Sequence, residues 1–485
     1  MTKVITGSLL FLLSLSSVAV AGSSSVAGNA LDSSSITVKW KLSTQDAMWS
    51  DMPDAQSLVS DSSGRADILV DVDNLKQTID GFGGAYNEKG WTALSLLSQE
   101  KQDEVLKALF DQESGAKFTI CRIPIGASDY AESRYTLNEK RNDYAMKKFS
   151  IARDKEKLIP YIRASLKYNP DMKLWGSAWT PPTWMKTNRD FDSGNFKNKP
   201  KIYDAYALYL KKFIESYKAE GLEIYMVAVQ NEPTILTKYP SCAWEPDQFL
   251  VFIRDYLGPL FEKSNLSGRI MLGTIQDGNF DAYPKTVLSD KKANSYVSCV
   301  GFQWDGVASV AKTRASYPDK NIMQTETECG NWHWKPGFDP DKPQNDWSYG
   351  SYTWNKIKTY FDEGVNSYLL WNMILDEEGK SIDAARPWPQ NAAIVVDRAK
   401  KESVYTPMYY AIKHFSYYVK PGAKYTSLKE GYRNAIAFTN PDGEIVVIAQ
   451  NDLVNPVEKT ISLKGSVIKV SLPPRSWSTF IFPKM

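Results

Sequence analysis

The sequence contains very little histidine and cysteine, and this scarcity excludes much of hydrolytic and metal chemistry. It has only two histidines, His333 and His414, and four cysteines in 485 residues. Neither histidine belongs to an HExxH motif or accompanies a GxSxG motif, and no CxxC pair occurs. A metal centre or a Ser-His-Asp triad therefore has little support. Any hydrolytic chemistry is expected to depend on carboxylates.

Runs of like charge and long apolar segments are also missing from the body of the chain. The formal net charge is +2 and no stripe of lysine or arginine occurs, so a nucleic-acid partner is not expected. Beyond the N-terminus no apolar run approaches the length of a membrane-spanning helix. A neutral, soluble partner fits this composition best.

The N-terminus has the pattern of a secretory signal peptide. Lys3 precedes an apolar segment over residues 9–15, and Ala19-Val20-Ala21 has the small-x-small pattern of a cleavage site. We therefore expect residues 1–21 to be a signal peptide and the protein to be secreted or periplasmic.

The four cysteines could form disulfides in such an oxidising compartment. Cys121, Cys242, Cys299 and Cys329 allow three pairings, and sequence cannot choose among them. Because three of the four lie in or beside predicted strands, buried free thiols are an equally good interpretation.

Aromatic residues, by contrast, are abundant, with 15 Trp, 27 Tyr and 19 Phe. Most are expected in the core, since aromatic rings bury large areas. A surplus of tryptophan outside the strand patterns is also typical of carbohydrate binding.

The central part of the chain alternates strand-like and helix-like segments, the pattern of βαβ units. Helices are predicted at 100–110, 154–168 and 202–220. Eight such units favour a closed (β/α)8 TIM barrel, with a doubly wound sheet as the alternative. The predicted strands are 78–83, 118–125, 173–178, 223–230, 269–273, 297–304, 321–325 and 367–372.

Both ends of the chain predict a β-sandwich beside the barrel. From about residue 423 the pattern is purely strand-like and includes a hairpin with the turn Asn440-Pro441-Asp442-Gly443. Strand-like segments at 36–41 and 66–71 are expected to complete this sandwich. The predicted domains are an N-terminal segment at 22–76, a catalytic barrel at 77–404 and a C-terminal sandwich at 405–485.

Two glutamates stand where a barrel places its chemistry, at the carboxyl ends of strands. Glu232 follows the fourth predicted strand and Glu326 follows the seventh. A lone glutamate at a loop start is usually a surface charge, but two facing one cavity predict a glycosidase with an acid/base and a nucleophile. Glu328 is a rival nucleophile, because it would face the same way in an extended strand.

The chain resembles glycoside hydrolase family 30, which contains glucosylceramidases and β-1,6-glucanases. The resemblance covers nearly all of the mature chain, and only its segments taken together make it a strong signal. They are Gly81-Phe82-Gly83-Gly84-Ala85, residues 121–126 with Ser128-Asp129-Tyr130, residues 179–188, Asn231-Glu232-Pro233, Thr325-Glu326 and Trp371-Asn372.

This resemblance implies a role for each matching residue, net retention of anomeric configuration and no cofactor. It implies that Glu232 is the acid/base, that Glu326 is the nucleophile, and that Arg122 lies beneath the nucleophile and keeps it ionised. It implies that a glucosyl unit is held by Asp129, Trp179, Asn231 and Trp371, with Asn391 as a further sugar contact and Trp304 in the pocket.

One departure from the family bears on the substrate. The family's glucosylceramidases carry His-Trp-Tyr at the end of the sixth strand, where this chain reads Gln303-Trp304-Asp305. The region after Glu326 is rich in aromatics that could form a binding wall for extended sugar. They are Trp332, His333, Trp334, Trp347, Tyr349, Tyr352 and Trp354.

We therefore expect a β-linked glucan, β-1,6-glucan first, as the carbohydrate substrate of a monomeric enzyme. Glucosylceramide is the alternative, followed by another specificity of the family such as β-xylosidase activity. An inactive carbohydrate-binding barrel is the non-enzyme alternative, but such a protein is expected to lose one of the two glutamates.

Overall fold

The computed structural model describes residues 35–59, 66–327, 331–332, 335–385 and 389–484. The predicted signal peptide, Glu328, Cys329, His333 and Trp334 lie outside the described residues. Within the described part, no helix is long and apolar enough to cross a bilayer.

Eight parallel strands close into a barrel at the centre of the molecule, as predicted. Each strand pairs with the next, and the eighth pairs with the first through Tyr368 and Phe82. All eight strands coincide with the predicted segments to within a few residues. They are β5 (Gly81–Ala85), β6 (Ile120–Pro124), β7 (Lys173–Ser177), β8 (Ile224–Ala228), β9 (Ile270–Ile275), β10 (Val297–Gln303), β11 (Asn321–Glu326) and β12 (Ser367–Asn372).

The interior of the barrel is filled, because alternate residues of each strand point inward. One buried cluster consists of these inward-facing side chains: Ile120, Trp175, Met226, Ala228, Met271, Cys299, Met323 and Leu369. The next inward positions along the strands therefore lie above this layer, at the open carboxyl end. Arg122, Ser177 and Trp371 occupy such positions.

Helices surround the barrel and bury their apolar faces against it. Several boundaries have clear local causes: the Ser98 side chain accepts from the Lys101 amide where α2 begins, and α10 ends at Gly364 with φ 111°. The helices are α1 (Glu88–Leu94), α2 (Gln99–Phe110), α3 (Leu158–Leu166), α4 (Pro200–Ala219), α5 (Pro246–Val251), α6 (Gly258–Lys263), α7 (Tyr283–Leu288), α8 (Lys291–Tyr296), α9 (Val310–Ser316), α10 (Trp347–Glu363) and α11 (Pro407–Ser416).

A ten-stranded antiparallel-rich sheet forms the second domain, and strands from both ends of the chain contribute to it. The predicted hairpin is present as two strands joined by a turn in which Gly443 has φ 90°. The strands are β1 (Thr37–Thr44), β2 (Ser50–Gln56), β3 (Leu58–Val59), β4 (Ile68–Thr78), β16 (Lys424–Gly431), β17 (Ala435–Thr439), β18 (Ile445–Asn451), β19 (Val457–Leu463), β20 (Ser466–Leu472) and β21 (Ser476–Phe482). A separate buried cluster, which includes Val38, Ile68 and Phe480, forms its core.

The connection between the two domains contains structure that the sequence patterns did not reveal. A small sheet is formed by β13 (Ile374–Asp376), β14 (Ile394–Asp397) and β15 (Glu402–Tyr405) beside the barrel mouth. The expected domain boundary at 404/405 falls within β15, shortly before α11, which packs on α10 and on β5 of the barrel. The chain therefore enters the sandwich only at Lys424, where β16 begins.

Candidate active site

Arg122 is the centre of the hydrogen-bond network at the carboxyl end of the barrel. It is fully buried on β6, and its Nη1 donates to Glu326 Oε2 at 2.6 Å. Its Nη2 donates to Asn231 Oδ1 at 2.6 Å and to Ser177 Oγ at 3.0 Å. The guanidinium also lies 4.3 Å from the centre of the Trp179 ring. One buried cation thus holds side chains from strands on opposite sides of the barrel.

A β-bulge at the end of β11 turns Glu326 toward the same centre. Phe302 pairs with Gln324, but the next residue, Gln303, pairs with Glu326. Thr325 is therefore the extra residue, and its hydroxyl donates to the Gln303 side chain at 2.9 Å. Such an insertion reverses the facing of the residues that follow it, so Glu326 takes the inward position that a regular strand would give to the residue two after the inward-facing Met323.

Glu232 and Trp304 are joined by a hydrogen bond, and both have the left-handed backbone conformation that non-glycine residues rarely adopt. Their φ angles are 43° and 52°. Trp304 Nε1 donates to Glu232 Oε1 at 2.6 Å, and the Tyr239 hydroxyl donates to Oε2 at 3.3 Å. The strained turns after β8 and β10 thus bring an indole donor to the carboxyl group of Glu232.

Burial disfavours the ionised form of the carboxyl groups in this site and so raises their pKa values. Burial raises the pKa of Glu232, against hydrogen bonds that include the one from Trp304, and it raises the pKa of Asp129 to about 7. Burial also raises the pKa of Glu326, while the Arg122 guanidinium acts against that rise. Because Arg122 contacts Glu326 directly, the ion pair favours the carboxylate at Glu326 and leaves Glu232 as the better proton carrier.

A pair of stacked tryptophans lies beside these carboxyl groups. The rings of Trp179 and Trp371 are 5.2 Å apart with 23° between their planes, and the edge of Tyr130 packs on Trp371. Trp371 is the extra residue of a second bulge, between β12 and β5. A rigid aromatic surface therefore lies at the end of the eighth strand.

A cavity of about 260 Å³ opens above this network. Among the described residues that line it, one side chain, that of Ile235, is aliphatic, and the others are polar or aromatic. The buried Asp129 Oδ1 and Gln276 Oε1 atoms have no hydrogen-bond partner among the described residues. The lining residues are Asp129, Glu232, Ile235, Thr237, Tyr239, Gln276, Trp304, Asp305, Glu326, Trp332, Trp371, Ser381, Asp383 and Gln390.

The structure brings most of the predicted site residues together, in two layers. The cavity wall includes Asp129, Glu232, Trp304, Glu326 and Trp371. Beneath it lie the residues that hold the wall in place, namely Arg122, Trp179 and Asn231.

Asn391 is the exception among the predicted residues. Its Nδ2 donates to the Gln344 carbonyl at 2.8 Å and its Oδ1 accepts from the Ala392 amide, so its side chain is used in the wall behind the cavity. The neighbouring Gln390 lines the cavity instead. Asn391 therefore does not line the cavity in this geometry, because the turn before β14 faces Gln390 inward, and the sugar contact at Asn391 stays a prediction.

The aromatic wall expected after Glu326 is also smaller than predicted. Among the described members of that group only Trp332 lines the cavity, with Tyr352 packed against it at 5.6 Å. Trp347 stacks on Trp477 of the sandwich at 3.8 Å, and Trp354 is fully buried. The amphipathic period of α10 explains this result, since it turns these rings toward the core.

Sequence reasoning missed several wall residues that come from loops. Tyr239 and Gln276 follow β8 and β9, and Asp383 and Gln390 lie between β13 and β14, so none of the four ends a predicted strand. The sequence signal that could have found them is weak, because loop positions have no periodicity that indicates which way a side chain faces.

The fold and the site define a class of protein. A closed parallel barrel carries paired carboxyl groups and a tryptophan platform at its carboxyl end, which is the arrangement of a barrel glycoside hydrolase. Residues 79–419 match the glycosyl hydrolase family 30 TIM-barrel domain, and residues 426–480 match the family's β-sandwich domain. The chain belongs to glycosyl hydrolase family 30, and this confirms the resemblance found in its motifs.

The relatives that match most of the chain include a glucosylceramidase and an endo-1,6-β-D-glucanase. It is 28% identical to the mouse lysosomal acid glucosylceramidase over 80% of this chain and 77% of that protein. It is 27% identical to the endo-1,6-β-D-glucanase neg1 of Aspergillus fumigatus over 84% of this chain and 86% of that one.

Solved structures show the same fold. SrfJ from Salmonella typhimurium has a TM-score of 0.83 at 23% identity, covering 93% of this chain and all of that one. A solved endo-β1,6-glucanase has a TM-score of 0.77 at 24% identity, covering 92% of this chain and all of that one.

Proposed function

We propose that the protein is a secreted, retaining β-glycosidase that hydrolyses a β-linked glucan, with β-1,6-glucan as the first candidate, by double displacement. The observation that carries this proposal is the asymmetry between the two glutamates. Glu326 is bonded to the buried cation Arg122, whereas Glu232 is bonded to the neutral donors Trp304 and Tyr239.

In the first step of this mechanism Glu326 attacks the anomeric carbon and forms a covalent glycosyl–enzyme bond. Glu232 donates its proton to the leaving oxygen as the glycosidic bond breaks. In the second step Glu232 takes a proton from water, and the water oxygen displaces Glu326 from the sugar. The two displacements at one carbon return the original anomeric configuration.

Three further groups are suited to hold the sugar ring. The buried Asp129 Oδ1, which has no partner among the described residues, is an acceptor for a sugar hydroxyl. Asn231 Oδ1 already accepts from Arg122 and from the Thr274 hydroxyl, so the Asn231 amide is left to donate to the sugar. Trp371 supplies an apolar face for the C–H groups of the ring.

The cavity wall favours a sugar over ceramide as the leaving group. A ceramide would leave two long apolar chains near the cavity mouth, but the wall there includes polar side chains such as Gln276 and Asp305, with Ile235 as the one aliphatic member among the described lining residues. Hydroxyl groups of a second sugar can bond to these polar side chains, whereas alkyl chains offer them no hydrogen bond.

The same wall disfavours a substrate that carries acidic sugars. Five carboxyl groups line the cavity, and none of its other lining residues in the described part of the chain is a lysine or an arginine. An anionic sugar would meet like charge there without a compensating partner. A neutral glucan fits this electrostatic environment better. The carboxyl groups are those of Asp129, Glu232, Asp305, Glu326 and Asp383.

Glucosylceramide is the second candidate substrate, supported by the similarity to the mouse enzyme. Secretion rests on Lys3, the apolar segment that follows it and the small residues at 19–21. Release of a chain that begins near residue 22 into the medium of the producing cells would support that part of the proposal.

The experiment that tests the substrate compares β-1,6-glucan with glucosylceramide in detergent, using the wild-type protein and Glu326→Gln as the blank. Oligosaccharides or glucose from the glucan, and no product from the blank, are the expected result. Ceramide release without glucan cleavage would replace the first candidate by the second. Cleavage of a xylan alone would contradict both.

A further inference from the structure

A second pocket, which we call the basic pocket, lies beside the loop that follows β7. It has a volume of about 560 Å³, which is within the range of ligand sites, and it is larger than the catalytic cavity. Five of its ten lining residues are cationic and none is acidic. These five are Arg141, Arg189, Lys197, Lys199 and Lys201.

This concentration of charge is unusual for a chain whose formal net charge is only +2. None of the five cations forms an ion pair with a described carboxylate. Two nearby acids are engaged elsewhere: Asp192 pairs with Arg134, and Asp143 accepts from the Lys148 amide and from Asn138. The positive charge of the basic pocket is therefore not neutralised within the described part of the protein.

The cations also lie close enough to repel one another. The pKa of Lys197 is lowered, first by burial and then by the charges of Arg189, Lys199 and Arg141. A bound anion would remove this repulsion, so the arrangement gains stability from a negatively charged ligand.

The loop that forms the wall is held in place before any ligand binds. The buried Lys186 donates from Nζ to the carbonyls of Phe191 and Ser241, each at 2.7 Å. Lys197 Nζ donates to the Trp184 carbonyl at 2.8 Å. A wall fixed in this way loses little conformational entropy when it binds a ligand.

The basic pocket also has apolar surface, which includes an exposed aromatic ring. Tyr144 is 41% exposed, and its ring meets the buried Trp184 edge-on, with centroids 5.5 Å apart. Ile202 and Pro200 add apolar surface to the same wall. A flat apolar face beside several cations is suited to a ligand that has both a ring with C–H groups and negative charge.

We propose that the basic pocket is a second, non-catalytic carbohydrate site that binds an acidic oligosaccharide, with a sugar ring against Tyr144 and its carboxylates paired with Arg141 and Arg189. Arginine suits this task, because its planar group can bond both oxygens of a carboxylate. The ligand is distinct from the substrate, since the catalytic cavity is lined by five carboxyl groups and repels the same charge. The protein would thus be held on an acidic polysaccharide while it cleaves a neutral one.

Isothermal titration of the full-length mature protein with a galacturonic acid hexamer tests this proposal. A neutral gluco-oligosaccharide of the same length, inorganic tripolyphosphate and a single-stranded oligonucleotide are the comparison probes. Binding of the hexamer that weakens as salt is raised, stronger than that of tripolyphosphate or oligonucleotide, is the expected result.

Variants then assign the binding to this pocket. Arg141→Gln with Arg189→Gln should weaken hexamer binding about tenfold, as expected for loss of the two proposed ion pairs. Lys39→Gln with Lys469→Gln removes the same charge from exposed positions of the sandwich and should leave binding unchanged. Tyr144→Ala should weaken binding of the hexamer but not of tripolyphosphate. Cleavage of an aryl glucoside should be unchanged in all of these variants.

Three results would overturn the proposal. One is the absence of hexamer binding to the wild-type protein. Another is equal binding of tripolyphosphate with no effect of Tyr144→Ala, which would make the basic pocket a site for small anions only. The third is tighter binding of the oligonucleotide through the same residues.

Discussion

At the scale of single residues, the proposed roles of Glu232 and Glu326 depend on the groups that contact each carboxyl group. Trp304 donates to the Glu232 carboxyl from a strained backbone, and this bond favours the ionised form and so opposes the effect of burial on the Glu232 pKa. The pKa of Glu232 is set by burial, which raises it, and by Gln303, Trp304, Arg122 and Tyr239, which lower it.

Replacement of Trp304 by Phe tests this balance. Without the indole donor the pKa of Glu232 rises further, so the alkaline limb of the kcat/KM profile should move upward by about one pH unit, the equivalent of one hydrogen bond to a charged group. The profile is measured with an aryl glucoside. Tyr239→Phe is the matched control, since its longer bond of 3.3 Å predicts a smaller shift in the same direction. A downward shift in Trp304→Phe would contradict this assignment.

Most wall residues that end a barrel strand could be predicted from the sequence, because strand ends converge on one cavity. Glu232, Trp304, Glu326 and Trp371 are of this kind. Gln390 could not be distinguished from Asn391, since one residue of difference in a turn reverses the facing of a side chain.

At the scale of elements, α11 joins the barrel to the sandwich through a buried histidine. The ring of His414 bonds to Thr479 of β21 at 2.8 Å and to Ser43 of β1 at 2.9 Å. Burial, and then the charges of Lys41 and Lys413, lower its pKa to about 3. It therefore stays neutral in the folded protein at all but very acidic pH.

This histidine predicts a pH dependence of stability. Between its ordinary pKa of about 6.5 and the lowered folded value, the unfolded chain binds one proton more than the folded protein, so stability falls as the pH falls. Replacement by Gln removes this contribution. Urea unfolding at pH 6, 5 and 4 should show a weaker loss of stability in His414→Gln, by up to about 1.4 kcal/mol per pH unit. Parallel curves for the two proteins would show that His414 is not protonated on unfolding in this range.

The eight barrel strands could be predicted because each is a short run with an apolar centre, and most of these runs alternate with amphipathic helices. The sheet of β13–β15 could not be predicted from the sequence. Only one residue separates β12 from Ile374–Asp376, so this short segment looks like the end of β12 rather than a strand of its own. α11 fell on the sandwich side of the predicted boundary, although Pro421-Gly422, a turn signal, separates it from β16.

At the scale of the whole molecule, the sandwich requires both ends of the chain. β1 lies between β2 and β21, and its Val38 and Leu42 side chains are buried in the interior. Without β1 the whole length of β21 would become an exposed sheet edge.

Two N-terminal deletions test this dependence. A protein that starts at Ser35 should keep the melting temperature of the mature protein, because all described strands remain. A protein that starts at Asp67 loses two buried aliphatic side chains, each worth about 1.5–3 kcal/mol, together with the β1–β21 hydrogen bonds, so it should melt at a clearly lower temperature or aggregate. Equal melting temperatures would mean that the sandwich does not need the N-terminal strands.

The anomeric configuration of azide products tests most directly whether Glu326 is the nucleophile and Glu232 the acid/base. With an activated β-aryl glucoside and sodium azide, Glu326→Ala should form the α-glycosyl azide, because azide attacks the intact substrate from the face that Glu326 occupied. Glu232→Ala should form the β-glycosyl azide, because azide attacks the covalent intermediate. The reverse assignment of the two products, or two α products, would contradict the account.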